Sequence, residues 1–265
     1  MKKLFILFSF ILCSELFLIS SAQSVECLND KVTRVTGKDE CLAIHTFKKN
    51  PETKIKNLVI FIHGDQSDNG PVVGMIRNAE KVEVPAGTVK VAILRPGYFD
   101  NQNNKSSGSD CGRRDCYTTT NLDEMTAAVQ SLKNYYKPTK TILIGHSGGA
   151  ATSGIMIGRT PGIAEGAILL ACPCNISSWR FMRGASSRYF SLSPSDFIKN
   201  IPKTTKVFAI TGSNDNNTAD ALAVDYIKSL TDLNVNAQYK ILAGLDHNGV
   251  NTVSVISEPL NELLK

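Results

Sequence analysis

The sequence predicts an α/β protein with a mainly parallel central sheet and helices on both faces. Seven strand-like runs alternate with helical patterns along the chain, which is typical of parallel strands joined by crossover helices. The strand-like runs are continuously apolar instead of alternating, which indicates central strands that are buried on both faces. No Pro/Gly/Ser-rich linker, repeat or low-complexity tract divides the 265 residues, so we expect one domain over residues 23–265.

The predicted elements follow one another in a regular order. The predicted strands cover residues 42–46, 58–62, 89–94, 141–144, 166–170, 206–211 and 237–242. The predicted helices cover residues 122–135, 148–158, 219–230 and 253–264. Residues 172–203, between the fifth and sixth predicted strands, are too few for a large lid, so we expect a small or absent one.

The first 22 residues have the pattern of a secretory signal peptide. Two lysines precede an apolar run over residues 4–19, and Ser20 and Ala22 place small residues at the positions usual before a cleavage site. An uncleaved membrane anchor is the alternative, but Glu15 interrupts the run, which is short for a membrane span. We therefore expect cleavage after Ala22, a secreted or periplasmic protein, and no stable membrane insertion.

The cysteine count agrees with an oxidising compartment. Removal of the signal peptide takes away one of the seven cysteines and leaves six, an even number that fits disulfide formation. Sequence alone permits many pairings, and closeness along the chain favours Cys27 with Cys41, Cys111 with Cys116, and Cys172 with Cys174. No C-x-x-C pair or histidine cluster accompanies them, so we expect no metal site.

One serine has the sequence context of an enzymatic nucleophile. The segment Gly145-His146-Ser147-Gly148-Gly149 follows an apolar run and precedes a stretch of small residues. This predicts a strand, a sharp turn with Ser147 at its apex, and a helix, in which strand and helix approach too closely for side chains at 145 and 149. A G-x-S-x-G motif also arises by chance, but its position between a strand and a helix indicates a nucleophile elbow.

The predicted base is a histidine late in the chain. A serine hydroxyl needs a base within hydrogen-bond reach and an acid that orients this base. Of the four histidines, His45 lies in an early strand, His63 in the loop after the second strand, and His146 beside the serine but away from its reacting side. His247 remains, in a loop between the last strand and the last helix, from which an imidazole can reach back over the sheet.

The orienting carboxylate is expected between the serine and the histidine in chain order. Asp215 lies in the loop that ends the strand over residues 206–211, and it is the predicted acid. Asp220 is the alternative, but it falls inside the following helix. Asp246 is adjacent to His247, yet adjacent residues of an extended loop tend to face opposite ways.

Acyl transfer also needs two backbone N–H groups that bind the oxyanion, and each can lower the barrier by about 3 kcal/mol. One predicted donor is the amide of Gly148, directly after the serine. The other is expected from the loop that begins with His63, where Asp65 is the predicted donor. A turn aspartate without a catalytic role is the alternative for Asp65.

Together these motifs resemble the α/β-hydrolase superfamily over about 200 residues. His63 and Gly64 match the oxyanion loop, residues 145–149 the nucleophile elbow, Asp215 the acid and His247 the base. The double glycine after the serine and the short lidless core are similar to small bacterial hydrolases of the dienelactone-hydrolase and prolyl-oligopeptidase-like branches. The resemblance implies the α/β-hydrolase fold and the hydrolysis of esters, thioesters or amides through an acyl-enzyme. It names no substrate.

We therefore expect a secreted or periplasmic serine hydrolase that acts on small carboxylic esters. A serine peptidase of the same fold is one alternative. A binding protein that keeps the fold without the reaction is another, but it would have a broken triad, and every expected part is present. The formal net charge is +5, and the basic residues form no stripe along the sequence, so nucleic acid is not an expected partner. The sequence has no P-loop or dinucleotide fingerprint and predicts no cofactor.

Overall fold

The protein is built on a single eight-stranded sheet in the residues that the computed structural model describes, which are 27–48, 54–185 and 190–265. The predicted signal peptide lies outside these ranges. The strands are β1 (Arg34–Thr36), β2 (Cys41–Lys48), β3 (Asn57–Ile62), β4 (Thr88–Ile93), β5 (Lys140–His146), β6 (Gly166–Leu170), β7 (Lys206–Gly212) and β8 (Asn236–Leu242). They lie in the order β1-β2-β4-β3-β5-β6-β7-β8.

The sheet is parallel except at one edge. Strands β3 to β8 run parallel, whereas β2 pairs antiparallel with both β1 and β4. Because the carboxyl ends of parallel strands meet at the same edge, the loops after β3, β5, β7 and β8 gather there. The predicted mainly parallel sheet is confirmed.

Helices cover both faces of the sheet, as predicted. They are α1 (Gly74–Lys81), α2 (Thr119–Tyr136), α3 (Gly148–Arg159), α4 (Ile176–Met182), α5 (Asp220–Asp232) and α6 (Val253–Leu264), with a 3₁₀ helix at Pro194–Asn200. Buried apolar residues of α2, α3 and α5 form one core with one face of the sheet. Those of α1 and α6 form a second core on the opposite face.

The central strand β3 shows why these apolar runs become buried strands. All six of its residues are buried. Side chains of a strand alternate between the two faces, so Leu58, Ile60 and Ile62 join the first core. Val59 and Phe61 join the second core. A strand between two layers of helices therefore takes apolar residues on both of its faces, and the one polar residue of β3, Asn57, lies at its start.

All seven predicted strands and all four predicted helices are present, with ends shifted by a few residues. Strand β1, helices α1 and α4 and the 3₁₀ helix were not predicted from the sequence. Strand β1 has three residues and α4 has seven, so neither is long enough to show a clear periodicity.

The six cysteines of the described ranges are bonded in the three pairs that closeness along the chain favours. Cys27 is bonded to Cys41, Cys111 to Cys116, and Cys172 to Cys174. The first pair ties the segment before β1 to the start of β2. Within the described ranges, no helix has the length and apolar character needed to cross a bilayer.

Candidate active site

Ser147 lies at the apex of a sharp turn between β5, which ends at His146, and α3, which begins at Gly148. Its backbone angles are φ 54° and ψ −119°, a region that costs a non-glycine residue about 1–3 kcal/mol. The turn is held in place because the Ser147 N–H donates to the Leu170 carbonyl at the end of β6, at 2.8 Å. The strained conformation points the side chain out of the turn at the carboxyl edge of the sheet.

The glycines around Ser147 are required by backbone contacts. A Cβ atom added to Gly145 would overlap the carbonyl group of Gly149. A Cβ atom added to Gly149 would overlap the carbonyl of Ile62 at the end of β3. Strand and helix therefore approach too closely for any side chain at these two positions, as the motif predicts.

The structure brings the predicted acid and base into contact. His247 Nδ1 lies 2.9 Å from Asp215 Oδ2, although 32 residues separate the two in the chain. The Thr218 hydroxyl donates a hydrogen bond to the same oxygen at 2.6 Å. The other carboxylate oxygen, Oδ1, accepts from the backbone N–H groups of Asn217 and Thr218, both at 2.8 Å.

These contacts fix the charge of the acid and the orientation of the base. Burial alone would raise the pKa of Asp215, but hydrogen bonds from His247 and Thr218 outweigh burial and lower it. Asp215 is therefore ionised at neutral pH, and its carboxylate accepts a hydrogen bond from the Nδ1–H group of His247. Nε2 is then the nitrogen of His247 that can act on a serine hydroxyl.

The competing residues lie in other arrangements. Asp220 is the first residue of α5, after the Asp215 loop. Asp246 Oδ1 accepts from the N–H groups of Asn248 and Gly249 in its own turn. His45 pairs with Asp100 at 2.7 Å in the loop region beyond β4.

The loop after β3 lies directly against the nucleophile. A Cβ atom added to Gly64 would lie 3.2 Å from Cβ of Ser147. One added to Gly148 would overlap the Asp65 carboxylate. In the described part of the chain, the backbone N–H groups of Asp65 and Gly148 have no hydrogen-bond acceptor. Two unpaired backbone donors therefore flank Ser147.

Three side chains from distant elements hold Asp65 in place. Arg95 Nη1 donates to Asp65 Oδ1 at 2.7 Å, and the Tyr117 hydroxyl donates to Oδ2 at 2.7 Å. The Tyr98 hydroxyl donates to the Asp65 carbonyl at 3.0 Å. Burial and the nearby Asp65 carboxylate raise the pKa of Tyr117 well above its usual value, so its phenol keeps the proton that it donates.

His63 fixes the start of the same loop. Its Nε2 accepts a hydrogen bond from the Arg95 backbone N–H at 2.9 Å. Nδ1 therefore carries the proton and donates a hydrogen bond to the Gly64 carbonyl at 2.7 Å. Burial and the positive charge of Arg95 lower the pKa of His63 well below its usual value. This histidine is therefore neutral, and its ring links the loop after β3 to the backbone of Arg95.

Helix α4 joins two loops near the site. Trp179 donates its indole N–H to the Asn217 carbonyl at 3.0 Å, beside the Asp215 loop. Arg180 pairs with Asp115 at 2.7 Å, in the loop before α2. The described residues between β6 and β7 contain only this helix of seven residues and the 3₁₀ helix as regular structure.

Sequence reasoning missed four residues at the site: Arg95, Tyr117, His146 and Thr218. Arg95, Tyr117 and His146 contact partners that are 30, 52 and 101 residues away in the chain, so a single sequence carries no signal for them. Thr218 lies only three residues after its partner Asp215, a spacing typical of an aspartate turn that the sequence does show. The described residues contain no group of three or more His, Cys, Asp or Glu side chains that could hold a metal ion.

Solved structures with a similar fold include peptidases and esterases. The chain is similar to the acylaminoacyl peptidase of Pyrococcus horikoshii, with a TM-score of 0.64 and 14% identity over 86% of this chain and 40% of that one. It is also similar to Est1E from Butyrivibrio proteoclasticus, solved with ferulic acid, with a TM-score of 0.61 and 15% identity over 86% and 96%. An esterase of Pyrococcus furiosus gives a TM-score of 0.63 and 15% identity over 88% and 91%.

The chain thus spans about two fifths of the peptidase and nearly the whole of the other two proteins. At these identities the likeness shows the fold, and the predicted α/β-hydrolase fold is confirmed. No protein-family profile and no curated protein sequence matches the chain.

Proposed function

We propose that the protein is a serine hydrolase that cleaves small carboxylic esters through an acyl-enzyme. The observation that carries the proposal is the Asp215–His247 hydrogen bond at the sheet edge where the strained turn presents Ser147. A nucleophile, a base oriented by a buried acid, and two unpaired backbone N–H groups are the parts that acyl transfer requires.

In this mechanism the Ser147 hydroxyl oxygen attacks the ester carbonyl carbon, and its proton moves to His247 Nε2. Asp215 stabilises the imidazolium that forms, and the amides of Asp65 and Gly148 bind the oxyanion. The tetrahedral intermediate then releases the alcohol, which takes the proton from His247 and leaves an acyl group on Ser147. Water repeats the sequence, with His247 again as the base, and releases the carboxylic acid.

Within the described residues, the hydrogen bonds of His247 go to Asp215, Thr218 and His146, and none joins it to the Ser147 hydroxyl. Catalytic hydrogen bonds of unliganded enzymes are often long and shorten only when substrate binds. The proposal therefore requires His247 Nε2 to come within about 2.6–3.2 Å of the Ser147 hydroxyl in the substrate complex.

Two proteins with this fold support an ester over an amide. The chain covers 96% of Est1E and 91% of the Pyrococcus furiosus esterase. A protein with this fold can therefore be an esterase with little chain beyond the part that matches here. The likeness to an acylaminoacyl peptidase favours amide hydrolysis as the second candidate.

We further propose that the chain acts outside the cytoplasm as one domain over residues 23–265, after removal of residues 1–22. Three pairs of bonded cysteines fit an oxidising compartment such as the periplasm or the extracellular space. The chemistry assigned to Ser147, Asp215 and His247 uses neither a metal nor an organic cofactor.

Labelling with a fluorophosphonate tests the proposed nucleophile. We expect wild-type protein and Ser153→Ala to label, and Ser147→Ala to remain unlabelled. Ser153 is a matched control because it lies in α3, the helix that follows Ser147, is fully buried, and donates a hydrogen bond from its hydroxyl to the Gly149 carbonyl. Labelling of Ser147→Ala at the wild-type rate, or no labelling of the folded wild-type protein, would contradict the proposal.

Turnover of matched substrates separates the two candidate functions. We expect p-nitrophenyl acetate and butyrate to be hydrolysed with a higher kcat/KM than aminoacyl and prolyl p-nitroanilides. A higher kcat/KM for the anilides would replace the esterase assignment with the peptidase assignment.

A further inference from the structure

His146 directly precedes the proposed nucleophile, and the mechanism above leaves it without a role. It is the last residue of β5 and is 6% exposed. Its Nε2 atom lies 2.8 Å from the backbone carbonyl oxygen of His247. The two imidazole rings are neighbours, with centroids 5.0 Å apart and planes tilted by 48°.

The partner atom decides the tautomer of His146. A carbonyl oxygen only accepts hydrogen bonds, so Nε2 of His146 must carry the proton and donate it. Burial lowers the pKa of His146 to about 4, so the ring is neutral near pH 7 and Nδ1 is without a proton. Nδ1 faces the other side of the site, where a Cβ atom added to Gly64 would lie 3.5 Å from it.

The His146 ring therefore lies between the loop that supplies the proposed oxyanion donor and the loop that supplies the proposed base. His247 is held at two points. Its ring is held by Asp215 through Nδ1, and its main chain is held by His146 through the carbonyl oxygen. The contact of the ring with Asp215 fixes the direction in which the imidazole points. The contact of the main chain with His146 fixes how far the His247 loop lies from β5, the strand that leads to Ser147.

We propose that His146 is a positioning residue that holds the His247 backbone at the distance from which Nε2 can reach the Ser147 hydroxyl. This inference rests on the proposed function. His146 takes no proton in the reaction and touches no substrate. Its role is to keep the base loop docked while the base gains and loses its proton.

A matched pair of variants tests the inference. His146→Gln keeps a side-chain N–H donor that can reach the His247 carbonyl, whereas His146→Met has a similar length and no donor. A displacement of about 1 Å at a catalytic group can lower the rate by about 100-fold. We therefore expect His146→Met to lower kcat for p-nitrophenyl butyrate by about 10-fold to 100-fold with KM within about twofold of wild type. His146→Gln should recover most of kcat.

His45→Met serves as a control for the loss of a histidine, because His45 pairs with Asp100 away from the site. It should leave kcat unchanged. A merely structural role for His146 predicts that His146→Gln and His146→Met lose kcat equally and in proportion to their loss of thermal stability. That result, or a wild-type kcat in His146→Met, would overturn the inference.

Hydrogen exchange of the peptide over residues 244–250 tests the contact without any substrate. We expect faster exchange in His146→Met than in wild type, and exchange close to wild type in His146→Gln. Equal exchange in the three proteins would overturn the inference. Wild-type protein that neither labels nor hydrolyses esters, with this exchange pattern intact, would instead reject the proposed function and leave the contact in place.

Discussion

Replacing Arg95 with methionine removes the cation that pairs with Asp65 beside the proposed nucleophile. The Arg95 side chain is 4% exposed and that of Asp65 is 16% exposed, and the paired atoms are 2.7 Å apart. The guanidinium carbon also lies 5.1 Å and 5.5 Å from the ring centroids of Tyr98 and Tyr117. Methionine loses this cation–π contact but can still pack against the two rings, and it leaves the carboxylate with the Tyr117 hydroxyl as its remaining side-chain donor.

The expected cost follows from the burial of the pair. Removing one partner of a buried ion pair lowers the free energy of unfolding by about 3–5 kcal/mol, because the other charge stays buried without compensation. Since Asp65 is partly exposed, water can reach its carboxylate, and we expect the lower end, about 3 kcal/mol. The double variant Asp65→Asn/Arg95→Met removes both charges, and its free energy of unfolding should be about 2 kcal/mol higher than that of Arg95→Met.

Urea denaturation of wild type, Arg95→Met, Asp65→Asn and the double variant gives a double-mutant cycle for the pair. The same four proteins should be assayed for kcat, which we expect to fall about tenfold or more in Arg95→Met because the Asp65 amide is no longer held beside the oxyanion. A coupling free energy below about 0.5 kcal/mol, or wild-type kcat in Arg95→Met, would refute this reasoning.

Three further predictions concern other contacts. Thr218→Val removes a buried hydrogen-bond donor to Asp215, so we expect it to lower the free energy of unfolding by about 1–3 kcal/mol and to lower kcat. Thr218→Ser keeps the hydroxyl and should lose less stability in urea denaturation and less kcat in the ester assay. Burial lowers the pKa of His146 from 6.5 to about 4, so the unfolded chain binds more protons between these values. Stability should therefore fall as pH falls through this window, by about 3 kcal/mol from His146 and further from His63, and a flat stability profile would contradict the burial argument. Gly149→Ala places a Cβ atom on backbone carbonyls and should cost about 3 kcal/mol or more; a melting temperature equal to wild type would show that the turn can relax.

The fold could be predicted where the chain is continuously apolar. Strands such as β3 are buried on both faces, so burial itself leaves a clear run of apolar residues, here residues 58–62. Helix α1 was missed because it has only eight residues and buries only Met75, Asn78 and Ala79. Helix α4 was missed because it is short, and Trp179 and Arg180 tie it to loops that are distant in the chain.

The candidate site could be predicted where function constrains the backbone. The turn at Ser147 demands glycine at 145 and 149, and the order of strands leaves few loops that can supply an acid and a base. The supporting contacts are different, because nothing in the local sequence of His146 indicates that its ring meets the His247 carbonyl. Such contacts depend on loop conformations after β7 and β8 that only the folded chain defines.

The structure of the protein after reaction with a phosphonate ester would test the assembled site in a single experiment. We expect phosphorus bonded to the Ser147 oxygen, with the phosphoryl oxygen about 2.7–3.1 Å from the backbone nitrogens of Asp65 and Gly148. His247 Nε2 should lie within about 3.2 Å of an oxygen on phosphorus while Nδ1 keeps its contact with Asp215. Phosphorus on another side chain, or a phosphoryl oxygen turned away from both amides, would contradict the proposed mechanism.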